Sequence, residues 1–226
     1  MSYRDPAFLR DHIKSIIAFY HPTCIDDEFG GYINQLRDDG SIYDRNTKHL
    51  VGTCRFIYNY SLASVTLDEP AYKEAAAHGL RFLRETHRQV DGGFAWVLQN
   101  RQVEDGTRHC YGHAFVLLAA AGADVARTKF NAADLKQDFG RKQALRKKGV
   151  VAISAVDKAR AAWQVAAAQV KASQSQLLAQ RSTVEARKAQ VQMAKAEVLH
   201  ASAQVEQKDA ALNIAKVNLN NTFIRS

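Results

Sequence analysis

From Val156 onward the apolar positions recur every seven residues: Val156, Trp163, Val170, Leu177, Val184, Val191, Val198, Val205, Leu212 and Leu219. A second row three residues later reads Ala159, Ala166, Ser173, Gln180, Arg187, Ala194, Ala201, Lys208 and Ala215, mostly small. Such spacing, held over ten positions, predicts a left-handed coiled coil, with the small row letting a partner helix approach closely. No Gly or Pro follows Gly149, in keeping with long helices. The period alone permits one continuous helix, about 95 Å from Val156 to Leu219 at ~1.5 Å per residue, and also an antiparallel hairpin. Ser182-Thr183-Val184-Glu185 has the form of a capping box after Ala179-Gln180-Arg181, which favours the hairpin with its turn between Leu178 and Glu185. The expected helices are about 132–148, ending at Gly149-Val150-Val151, then 154–180 and 183–220.

The first part of the chain has a different rhythm. Leu50, Cys54, Ile57, Tyr58 and Ser61 share one helical face, as do Phe115, Leu118, Ala119 and Gly122. Phe8 to Phe19 and Tyr72 to Leu83 supply two further amphipathic helices. Gly30-Gly31-Tyr32 and Gly92-Gly93-Phe94, about sixty residues apart, each lead through a second turn, at Asp39-Gly40 and at Glu104-Asp105-Gly106, into an apolar helix. Paired glycines beside an aromatic, and the alternation of FAWVLQ, suit short β-hairpins. Four helices in two αα units follow, with their elaborated loops on one side. Such units bury their inner faces only when neighbours stack on them, so a longer array or a ring is implied.

Composition sharpens the division. All eight Tyr, all three Pro, all three Cys and ten of the twelve Gly lie at or before Gly122. Residues 1–129 carry 15 Lys and Arg against 16 Asp and Glu; residues 130–226 carry 16 against 7, so the +8 of the whole chain belongs to the second part. A boundary is expected between about Gly122 and Asp134, giving domains 1–128 and 131–226. The basic residues are spread around the heptad without clustered aromatics, which argues against specific nucleic-acid binding. No apolar run spans a bilayer and the N-terminus has no signal-like core, so the chain as written is expected in the cytoplasm. Cys24, Cys54 and Cys110 form no C-x-x-C pair and read as buried or idle thiols. His109 and His113 are four apart but lack a third ligand, so neither metal nor cofactor is expected.

RNTKHLVGTCRFIYNYSLA, DGGFAWVL and RHCYGHAFVLLAAAGA, within residues 5–128, closely resemble the N-terminal third of the N-acylglucosamine 2-epimerase superfamily, which includes mannose and other aldose–ketose isomerases. The resemblance implies part of an all-α (α/α)6 toroid, a sugar partner, and proton transfer by histidine beside the opened sugar's carbonyl. It places Arg55 as the catalytic cation that stabilises the enediolate, Tyr111 and His113 as pocket-lining residues, and Trp96 facing sugar from the hairpin. Each has a plainer alternative: Arg55 capping a helix or pairing with Asp44, His113 as a satisfied core histidine, Trp96 as hairpin packing. The family's catalytic histidines lie on later helices that nothing after Asp124 resembles, so the polypeptide alone is expected not to isomerise sugars. RKQALRKKGVVAISAVDKARAAW, the heptads after it and AALNIAKVNLNNTFIRS, within about residues 131–226, resemble the coiled-coil hairpin of HlyD-type membrane fusion proteins. That implies coiled-coil self-association or end-on docking to an outer-membrane channel, with a tip near Gln180 to Arg187, as part of an efflux or secretion system. The chain thus reads as a partial toroid of about four helices with a short β-hairpin, fused to a long coiled-coil hairpin.

Overall fold

The computed structural model of the chain describes residues 4–222. The end of the adaptor-like run, residues 223–226, lies outside them. Two compact units divide at Val184, residues 1–184 and 185–226. The compositional change near residues 122–134 falls inside a single helix.

In the first unit, α1 (Pro6–Tyr20) starts at Asp5, whose side chain accepts the Ala7 N–H at 3.0 Å, with Pro6 in the first turn. Strands β1 (Gln35–Leu36) and β2 (Ile42–Asp44) form the first hairpin. Strand β3 (Thr47–His49) leads into α2 (Leu50–Leu67), and α3 (Pro70–Phe82) continues into a π-helical turn, Leu83–His87. The second hairpin, β4 (Val97–Gln99) and β5 (Gln102–Asp105), is joined by β3 into a three-stranded antiparallel sheet in the order β3-β4-β5. Thus the strand before α2 pairs with the hairpin before α4 (Cys110–Lys147). That link crosses from one αα repeat to the next and holds the two loop regions on the same side.

The core lies between α2 and α4. Leu50, Cys54, Ile57 and Ser61 are buried on one helix, and Ala114, Phe115, Leu118, Ala119 and Val125 on the other. Gly112 sits beside Leu50, Phe115 beside Arg55, and Gly122 beside Tyr58, so the helices run parallel. The faces expected from the 3.6-residue pattern are the buried ones.

Helix α4 continues unbroken to Lys147, where both bonds of a Schellman cap stop it: Gly149 N–H to Arg146 O at 2.9 Å and Val150 N–H to Leu145 O at 3.0 Å. Gly149 takes the positive φ of +74° that this cap requires. Helix α5 (Ile153–Thr222) follows, and its part within the first unit returns antiparallel to α4. Phe139 stacks on Trp163 with centroids 5.7 Å apart, and Thr128 and Ser173 share a hydroxyl hydrogen bond of 2.8 Å. Val156, Ala159, Ala166, Ser173, Leu177 and Val184, drawn from both heptad rows, are buried.

The expected hairpin turn between Leu178 and Glu185 does not form, because α5 runs through it. Ser182 and Thr183 donate their hydroxyls back to the carbonyls of Leu178, at 3.2 Å, and Ala179, at 3.0 Å, an arrangement that belongs inside a helix. Glu185, expected to close a capping box, pairs with Lys188 at 2.6 Å. The antiparallel hairpin exists, but its turn is at residues 148–152 and its arms are α4 and the first part of α5. Among the described residues no helix is both long and apolar enough to cross a membrane.

Candidate active site

The loops before α2 and α4 place a histidine at the capping position just ahead of each helix. His49 caps α2 by accepting the Val51 N–H on Nδ1 at 3.3 Å, which puts its proton on Nε2. His109 occupies the matching position before α4. The Trp96 ring lies against both, with centroids 4.3 Å from His49 and 4.2 Å from His109. Gly112 permits this packing, since a Cβ there would meet Trp96 Cζ3 at 2.8 Å. Burial lowers the pKa of His49, and the neighbouring His109 ring and Arg55 guanidinium lower it further, against an opposing pull from Asp105. His49 is therefore a neutral ring at pH 7.

Arg55 lies one turn into α2. Its guanidinium is exposed and rests over the Phe115 ring, 5.1 Å from the centroid; Tyr111 meets the same ring edge-on at 5.1 Å. Arg55 and Tyr111 therefore share one platform. The alternative partner Asp44 instead accepts the N–H groups of Asn46 at 2.8 Å and Thr47 at 3.2 Å. His113 is arranged differently. Its Nδ1–H donates to the His109 carbonyl at 2.9 Å and its Nε2 accepts the Phe94 N–H at 3.2 Å, so both ring nitrogens are engaged by backbone.

Beside Arg55 opens a cleft of about 220 Å³, lined by Ile16, Tyr20, Asn34, Gly52, Phe56 and Tyr60 among others. Tyr20 and Phe56 meet edge-to-face, and Tyr60 stacks near Phe56. Asn34 packs so closely on α2 that a Cβ at Gly52 would lie 2.7 Å from its Nδ2, and neither polar atom of its amide has a protein partner. Trp96, Tyr111 and His113 do not line this cleft; His49, which senses the charge of Arg55 and packs on Trp96, connects the two areas.

A buried ion pair supports the loops. Asp26 and Lys48 are fully buried and hydrogen-bonded to one another, with the exposed Arg45 3.6 Å from the carboxylate. Burial alone would raise the Asp26 pKa, but the Lys48 hydrogen bond and the N–H groups of Phe29 and Glu28 outweigh it and hold the carboxyl below its ordinary range. Lys48 lies in β3, next to His49, so the pair anchors the entry to α2. Among the described residues no three His, Cys, Asp or Glu side chains gather as a metal-ligand set.

The chain matches the N-acylglucosamine 2-epimerase (GlcNAc 2-epimerase) family over residues 31–223. It belongs to that family. The matched stretch passes well beyond residue 128, the expected limit of the epimerase resemblance, and the adaptor resemblance of the heptad segment gains no support from any comparison. Among family relatives, D-mannose isomerase of Marinomonas mediterranea is 46% identical over 122 residues, covering 54% of this chain and 31% of that protein. Cellobiose 2-epimerase of Eubacterium cellulosolvens is 31% identical over 108 residues, covering 47% of this chain and 26% of that one. A crystal structure of D-mannose isomerase superposes with a TM-score of 0.53 at 46% identity, over 54% of this chain and 31% of its own. The chain therefore spans between about a quarter and a third of the length of these relatives, and the superposition matches part of their toroid.

Proposed function

We propose that the first unit is the sugar-recognition part of an aldose–ketose isomerase or 2-epimerase site, with Arg55 as its fixed cation. The observation that carries this reading is the cleft beside Arg55, where three aromatic side chains adjoin an asparagine amide with no protein partner. An aldose has an apolar C–H face for aromatic rings and hydroxyls for amide and guanidinium groups. A guanidinium is a fixed cation, so Arg55 also suits the negative charge that develops on sugar oxygens when a proton leaves the adjacent carbon. Tyr111, on the same Phe115 platform, and Trp96, through His49, extend the recognition surface. His113 holds the Phe94 loop and positions that surface.

Proton transfer is not assigned to this chain alone. A general base needs a free basic nitrogen near the substrate, whereas the Nδ1 of His49 is taken by the helix end, both nitrogens of His113 are taken by backbone, and none of His49, His109 and His113 lines the cleft. The adaptor reading is not carried forward, because residues 180–187, its docking tip, lie within an unbroken helix.

D-mannose, the substrate named for one relative, is the first ligand to try, and cellobiose the second. Titration followed by saturation-transfer NMR should give saturable binding that Arg55→Ala weakens at least ~10-fold and Arg55→Lys weakens less. In deuterated water, C2 of the bound sugar should exchange no proton. Absence of saturable binding, or binding indifferent to Arg55→Ala, overturns the recognition reading; deuterium at C2 overturns the lack of turnover.

A further inference from the structure

The heptad rows outlast their cover. Val184 is 3% exposed, whereas Val191, Val198, Val205, Leu212 and Leu219, in the same register, are between 40% and 70% exposed. The small row continues with them through Ala194, Ala201 and Ala215, all exposed. These residues belong to the second compact unit, whose described part is one helix from Glu185 to Thr222. A stripe with a seven-residue period is buried by another helix of the same period.

We infer that this segment pairs antiparallel with the same segment of a second copy of the chain, about a two-fold axis near residue 203. The segment is complementary to itself in that direction. Val191 falls opposite Ala215 of the second copy, Val205 opposite Ala201 and Leu212 opposite Ala194, so these three large side chains each meet a small one, and Leu219 falls opposite the stem of Arg187. Val198 falls opposite Lys208, whose long stem covers it while its charge reaches water. A parallel, in-register pair would instead stack Lys208 on Lys208 and Arg187 on Arg187 within the seam.

Charge selects the same arrangement. Lys195 flanks the layers made by Ala194 and Val198, and Asp209 of the second copy flanks the same two layers from the opposite helix. Symmetry makes this attraction twice. Lys188 and Lys216 meet at the ends, where Glu185 already holds Lys188. The isologous contact closes after two copies, so it yields a dimer and not a filament.

Sedimentation of the full chain tests this, with far-UV circular dichroism verifying that each variant keeps its helix. The expected result is a monomer–dimer equilibrium that Val198→Glu/Val205→Glu shifts to monomer. Lys195→Asp should weaken the dimer ~10-fold, with Asp209→Lys in the same chain restoring it to within about threefold. A spin label at Gln192→Cys, in a Cys110→Ser background, should report a separation near 33 Å, from ~22 residues at ~1.5 Å each. A monomer at hundreds of micromolar, a dimer that survives Val198→Glu/Val205→Glu, a charge reversal without rescue, or a label separation below about 15 Å overturns the proposal.

Discussion

His87 is fully buried, with its Nδ1–H donating to the Ala95 carbonyl at 3.1 Å and its Nε2 accepting from the Thr53 hydroxyl at 3.3 Å. Burial lowers its pKa to about 4, so the folded chain holds it neutral while an unfolded chain, near the ordinary value of 6.5, would protonate. Between those values the unfolded state binds more protons, so stability rises with pH. Its contribution is complete above about pH 6.5 and falls by about 3 kcal/mol as pH drops toward 4. Urea unfolding across that range should have this slope, and His87→Gln should lack it. Asp26 and Lys48 make a second prediction. Lys48→Ala strands a buried carboxylate and should cost about 3–5 kcal/mol by chemical denaturation, while Asp26→Ala/Lys48→Ala should cost less than the two single changes together. At this scale the sequence was partly legible. The epimerase-like motifs drew attention to Arg55, Tyr111, His113 and Trp96, and of these four Arg55 lines the cleft; the Asp26–Lys48 pair and the placement of His49 had no such signal. Two charges 22 residues apart read as solvated surface, and histidine is not among the residues preferred at the cap of a helix N-terminus.

Among the elements, α1, α2 and α3 fall where apolar periodicity placed them, with Asp5 and Pro6, His49, and Pro70 marking their starts, whereas α4 runs without a break through the start expected near residue 132. The second half exposes what periodicity leaves open. A row of valines at seven-residue spacing fits a turning chain or a straight one equally, and a Ser-x-x-Glu sequence caps a helix only if the preceding helix stops. Leu178 and Ala179 keep their carbonyls in the helix, and Ser182 and Thr183 bond back to them. Proline distinguishes the two states. Thr183→Pro would occupy the tolerated first position of a new helix if the chain turned there, but within continuous α5 it removes a hydrogen bond and should cost about 3 kcal/mol. A loss of ellipticity and of thermal stability is expected; unchanged values would indicate the turn.

For the whole molecule, the exposed stripe on α1 matters most. Leu9, Ile13, Ile16 and Phe19 are each at least one-third exposed, and Ile17 is the buried residue of that helix. Apolar area of this kind attracts apolar dyes and partners. Leu9→Glu/Ile13→Glu should lower anilinonaphthalene sulfonate fluorescence relative to the parent chain with little loss of helicity; equal fluorescence would mean that α1 is covered in solution. What the sequence determined by itself was the kind and spacing of elements: two αα repeats with glycine turns, then long heptad helices, and the motifs that resemble the epimerase family. Periodicity and turn chemistry act within a few residues and leave their mark in the local order of residue types. Only the tertiary structure decided that β3 bridges the two repeats, that α5 returns along α4 from Gly149, and that His49 joins Arg55 to Trp96. Those depend on which buried surfaces meet across long sequence separations, and several pairings satisfy the same local pattern equally well.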